Sequence, residues 1–147
     1  PQATFSACFG AAFLPLHPTE YAELLGKKMK ENQVNVWLIN TGWTGGAYGT
    51  GSRMKLAYTR AMIRAALEGK LAEVNYETHP IFGIEMPTTC PNVPSEVLNP
   101  RDTWADKDAY DHQAHHLAEL FIQNFQKYAD FANAEILAGA PKTLVVV

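Results

Sequence analysis

A strong charge of either sign, a long apolar run and a cysteine framework are all missing from these 147 residues. Twelve Lys and Arg stand against fifteen Asp and Glu, a formal net charge of −3, which gives no general drive toward nucleic acid or an anionic membrane. No apolar stretch approaches the roughly 20 residues a membrane-spanning helix needs, and no secretory leader is visible, so the cytoplasm is the expected location. The two cysteines, Cys8 and Cys90, read as reduced thiols; even a bridge between them would not amount to a framework. No nucleophile–base set and no acid–base pair emerges, so no catalytic residue is assigned. His112 and His116 have the i, i+4 spacing of a two-histidine metal site, but no Glu follows His112 directly. With His115 they read as a polar helix face, and no metal ligand is assigned. Cys8, in an uncharged setting, is expected to be a small buried residue.

What is present is a globular composition, 47% hydrophobic and 18% charged, in a length that fits one domain. The sequence is organised around Asn40–Met54, where five glycines fall between Gly42 and Gly51. An apolar run, Val34–Ile39, precedes this loop and a helical pattern follows it. Strand, glycine-rich loop and helix in that order suit a phosphate or nucleotide, because glycine lets backbone approach a ligand and leaves N–H groups free to point inward. Arg53 adds a fixed charge with a planar fork of donors. The strict fingerprints fail: Gly46 and Gly51 have the Walker A glycine spacing, but Ser52-Arg53 stands where Lys-Ser/Thr is required, and Gly49-Thr50-Gly51 is not followed by x-x-Gly. Glycine content alone fits a tight surface loop equally well, although Trp43 and Tyr48 argue against disorder.

In chain order, residues 3–14 are small or aromatic and uncharged, and are expected to be buried or covered. Residues 18–31 read as a helix with a stripe of Tyr21, Leu24, Leu25 and Met29, and 34–39 as a strand buried on both faces. Residues 54–56 suggest a short strand or an extended lead-in. A helix follows from about Thr59, a cap or first-turn residue, to a stop at Gly69, burying Met62, Ile63, Ala66 and Leu67. Residues 72–79 are polar strand or loop, 81–86 a strand closed by Pro87, and 88–100 an irregular covering segment. The longest helix spans 107–129 with Leu117, Leu120, Phe121, Phe125 and Tyr128 at helical spacing, and a short helix at 132–138 ends at Gly139. A start at Pro1 without Met and an apolar Thr143–Val147 end suggest a piece of a longer protein.

Across Asn40–Arg60 the sequence resembles ATP-dependent phosphoenolpyruvate carboxykinase. Thr4–Leu14, Leu16-His17-Pro18, Pro100-Arg101-Asp102-Thr103-Trp104 and Leu120–Tyr128 resemble the same family's C-terminal third, and the likeness covers about 1–142. It implies an α/β fold, part of the carboxykinase C-terminal domain, with a mixed sheet and helices packed outside; residues 1–147 would be a fragment of that nucleotide-binding domain. It implies conversion of oxaloacetate and ATP to phosphoenolpyruvate, CO2 and ADP in gluconeogenesis, with Mg²⁺ and Mn²⁺ whose ligands lie outside this chain. By resemblance Arg53, Met54 and Thr59 are the nucleotide-binding residues, near adenine and ribose. The implied partners are the remainder of the carboxykinase chain, the substrates oxaloacetate and ATP, and possible copies of itself in a homo-oligomer. The chain alone is expected to be inactive. The alternative is a non-catalytic structural or subunit-contact fragment.

Overall fold

The computed structural model describes residues 4–8, 10–40 and 42–142. In chain order they form a 3-10 turn (Ala11–Phe13), α1 (Pro18–Asn32), β1 (Trp43–Thr44), β2 (Ser52–Arg53), α2 (Leu56–Leu67), β3 (Tyr76–Thr78) and β4 (Glu85–Pro87). Two further 3-10 turns (Ser95–Val97, Pro100–Thr103) lead to α3 (Lys107–Phe125), a 3-10 stretch (Gln126–Phe131) and α4 (Ala134–Ala138). The class is mixed α/β; the strands form two antiparallel pairs, β1–β2 and β3–β4. The described residues divide into two compact units, those within 4–36 and 119–141, and those within 37–118 together with 142.

The first unit centres on α1. Pro18 occupies its first turn, where a missing N–H costs nothing, and Gln33 ends it in the left-handed region at φ 50°. The predicted stripe is only partly right. Tyr21 and Met29 are half-buried, but Leu24 and Leu25 are exposed, and the inner face runs instead through Thr19, Ala22 and Gly26. His17 packs its ring on Phe131 and Tyr128 at centroid distances of 4.6 and 5.6 Å, and its Nδ1 lies 2.8 Å from the Thr19 hydroxyl. Phe5 meets Phe121 edge-on at 5.1 Å. Among the described residues the uncharged N-terminal segment is otherwise half-buried or exposed: Cys8 is exposed and Phe13 is 89% exposed.

The second unit holds the two cores. One gathers Ala65, Leu71, Cys90 and Val93, flanked by Tyr58, Ala61 and Met62; the other gathers Ile81, Tyr110, Ala114 and Ala118. Ala65 is 2% exposed whereas Leu67 is 84% exposed and Ile63 is also open, so the inner face of α2 is turned away from two of its four predicted members. Helix α2 starts at Leu56, three residues early, and closes with the bonds Gly69 N–H to Ala66 O and Lys70 N–H to Ala65 O, the hydrogen-bond pattern of a Schellman stop. The inner face of α3 in this unit is Tyr110, Ala114 and Ala118 at i, i+4, i+8; Leu117 and Phe121 are exposed.

Two strand expectations are corrected. Residues 34–39 pair with no strand among the described residues, and Val34, Val36, Leu38 and Ile39 are exposed. A strand exists through its ladder to a neighbour, and here none is at hand. Residues 81–86 are mostly a turn, because the His79 ring takes the N–H groups of Ile81 and Phe82, both at 3.2 Å, and bends the chain before it reaches β4. Of the two readings of 54–56, the extended lead-in is the one found: Lys55 is extended immediately before α2, and the short strand β2 precedes it at Ser52–Arg53. By contrast, the irregular 88–100 stretch and the Gly139 stop fall where expected, with the Asn133 side chain accepting from Ile136 N–H at 3.0 Å to start α4.

Candidate functional site

The glycine-rich stretch folds into a hairpin whose two short strands are joined by residues 45–51. Trp43 pairs with Arg53 and Thr44 with Ser52. Residues directly opposite in an antiparallel pair share a face, so Trp43 and Arg53 lie on one side and Thr44 and Ser52 on the other. The loop is folded on itself: Thr50 and Gly51 both donate to Ala47 O at 3.0 and 2.9 Å, and Met54 N–H reaches back to Gly42 O at 3.0 Å. A Cβ on Gly51 would run into the carbonyls of Thr44 and Gly46, so no other residue fits there. Trp43 and Tyr48 meet edge-on at 5.1 Å and give the loop a small aromatic brace.

Arg53 is exposed at the end of β2, and among the described residues its guanidinium forms no hydrogen bond or ion pair. Met54, half-buried, follows it. Lys55 starts α2 without a side-chain cap, and half-buried Thr59 closes the first turn of that helix through its N–H to Lys55 O, 3.3 Å. The three predicted contacts thus sit along one short path from strand end to helix start. An unpaired guanidinium plane, a thioether and a hydroxyl in that order suit a flat, partly apolar ligand with hydrogen-bonding groups at its rim.

The other face of the hairpin is anchored. The Thr103 hydroxyl accepts from Thr44 Oγ1 at 2.9 Å and from Gly45 N–H at 3.0 Å, and donates to Pro100 O at 2.7 Å. The turn carrying Thr103 is itself fixed. Arg101 grips Asp111 of α3 with both arms of its fork, Nε to Oδ1 at 2.8 Å and Nη2 to Oδ2 at 2.9 Å, and Lys107 Nζ bonds the Arg101 and Asp102 carbonyls. The Arg101 hydrogen bonds hold the Asp111 carboxyl below its usual range, with partial desolvation opposing. Thr103 and this anchor carried no signal from spacing alone; the one pointer was the place of Arg101 and Thr103 in the Pro100–Trp104 stretch.

Comparison with known proteins decides the family. The model of the family described as phosphoenolpyruvate carboxykinase matches residues 1–96. The chain belongs to that family. It is 70% identical over 97% of its length to the phosphoenolpyruvate carboxykinase (ATP) of Flavobacterium johnsoniae, 67% over 96% to that of Christiangramia forsetii, and 56% over 97% to that of Thermus thermophilus. It spans 27%, 26% and 27% of the length of these proteins, about a quarter. Within this carboxykinase segment, no three His, Cys, Asp or Glu side chains among the described residues converge to hold a metal ion, and His112, His115 and His116 form no such group. No helix among the described residues is long and apolar enough to cross a membrane.

Proposed function

We propose that this chain forms the adenine- and ribose-facing part of the ATP site of a phosphoenolpyruvate carboxykinase, within that enzyme's nucleotide-binding C-terminal domain. The observation that carries the reading is the unpaired, exposed guanidinium of Arg53, held at a strand end opposite Trp43 and followed by Met54 and Thr59, in a chain 70% identical to an enzyme named for ATP. The whole enzyme would work in the cytoplasm, converting oxaloacetate and ATP to phosphoenolpyruvate, CO2 and ADP. That chemistry pairs decarboxylation with phosphoryl transfer, which depends on positioning and charge neutralisation. This chain's share is placement of the base end of the nucleotide. Groups that bind the phosphates, Mg²⁺, Mn²⁺ and oxaloacetate belong to the remaining three-quarters of the polypeptide, so the chain alone is inactive. The exposed Val34, Val36, Leu38 and Phe13 are the surfaces we assign to contact with that remainder, since the relatives supply about four times this length.

The test uses a full-length carboxykinase in which this chain replaces the corresponding quarter of the Flavobacterium johnsoniae enzyme. Arg53→Ala should raise the KM for ATP about 3- to 30-fold while kcat stays within about twofold, as expected when binding common to ground and transition states is lost. An unchanged KM for ATP would favour a structural or subunit-contact segment.

A further inference from the structure

The hydroxyl of Thr103 sits where the glycine loop meets the rest of its unit, and every valence of that oxygen is used. It accepts from the Thr44 hydroxyl and the Gly45 N–H and donates to the Pro100 carbonyl, the full capacity of one threonine hydroxyl. The approach is close enough to exclude a side chain at position 45: a Cβ at Gly45 would lie 2.9 Å from the Thr103 carbonyl oxygen, and Gly45 has φ 76° besides. Strand alternation turns Thr44 to the Thr103 side and Trp43, with its partner Arg53, to the opposite face. Beneath Thr103, the forked Arg101–Asp111 pair and the Lys107 bonds hold the turn to α3.

The geometry points to Thr103 as a positioning residue for nucleotide binding. Through Thr44 and Gly45 it fixes the orientation of the β1–β2 hairpin and thereby the direction in which Arg53 presents its guanidinium. Thr103 touches no nucleotide itself. This assignment rests on the adenine-side reading of Arg53, and the experiment separates the two.

In the full-length enzyme described above, Thr103→Val keeps the shape of the side chain and removes all three hydrogen bonds, while Thr103→Ser keeps the hydroxyl. Thr103→Val should raise the KM for ATP about 3- to 20-fold, with kcat and the KM for oxaloacetate within about twofold; Thr103→Ser should restore the parent value. The double variant Arg53→Ala/Thr103→Val should be no weaker for ATP than Arg53→Ala by more than about twofold, because the hairpin then has no guanidinium to aim. If Arg53→Ala alone leaves the KM for ATP unchanged, the adenine-side reading fails and this inference with it. A raised KM in Arg53→Ala but not in Thr103→Val, additive effects in the double variant, or a Thr103→Val enzyme that loses kcat for all substrates alike would each overturn the positioning role alone. Should Thr103→Val not fold, Thr44→Val decides in its place: a two- to fivefold rise in the KM for ATP supports the role, and no change overturns it.

Discussion

Among single residues, the most tightly determined is one that carries no sequence signal. His79 is buried, its Nδ1 accepts from Ile81 and Phe82 N–H, and its Nε2 lies 2.9 Å from the Tyr110 hydroxyl. With Nδ1 accepting, the proton sits on Nε2 and is donated to Tyr110, which fixes the neutral tautomer. Burial lowers the His79 pKa below its usual value. The unfolded chain therefore binds more protons than the folded one in the window below about pH 6.5, so stability rises with pH through that window and is lost as pH falls. In the full-length enzyme, urea midpoints should decline as pH drops below about 6.5, and His79→Gln should flatten the decline. Tyr110→Phe should cost about 1–3 kcal/mol near neutral pH by leaving the buried Nε2–H without a partner, read from the same midpoints. A lone histidine between Thr78 and Pro80 looks like loop polarity in the sequence; only the fold reveals that its ring turns the chain at 81–82, so that the strand predicted for 81–86 begins at Glu85.

The existence and type of the helices were legible from capping residues and apolar spacing, because Pro18, Gly69 and Gly139 act locally wherever the chain is placed. Which face turns inward was less legible. Alanine-rich helices have several stripes of comparable hydrophobicity, and the choice in α2 falls to Ala65, which fits close against Leu71, Cys90 and Val93, while bulkier Ile63 and Leu67 stay outside. Ala65→Leu should therefore destabilise by about 1–3 kcal/mol through overpacking, measured by denaturant unfolding of the full-length enzyme. The 34–39 strand differs for another reason: apolar composition alone does not make a strand, which is a property of two segments, and among the described residues no strand pairs with this one and its side chains are exposed. In the hairpin, Gly45→Ala should push the loop off the Thr103 carbonyl and raise the KM for ATP at least as much as Thr103→Val, measured in steady-state assays.

For the whole molecule, several ordered motifs pointed to one family, and identities of 56–70% across nearly the whole chain show it. The contacts proposed from the sequence, Arg53, Met54 and Thr59, were open to a local reading, since they lie within seven positions of one another. Their support was not, because Thr103 is 58 residues from Gly45 and nothing local marks the contact. The chain spans about a quarter of the length of these relatives and leaves Val34, Val36 and Leu38 exposed, which is the basis for the proposal that it works within a longer polypeptide. The central claim is that this segment places the base end of ATP and leaves the phosphates to other residues. The most direct measurement is the affinity of the full-length enzyme, parent and Arg53→Ala, for ATP and for inorganic tripolyphosphate, by titration calorimetry. Arg53→Ala should weaken ATP about 3- to 30-fold and leave tripolyphosphate unchanged. Equal weakening of both ligands would make Arg53 a phosphate contact, and no weakening of either would remove it from the nucleotide site.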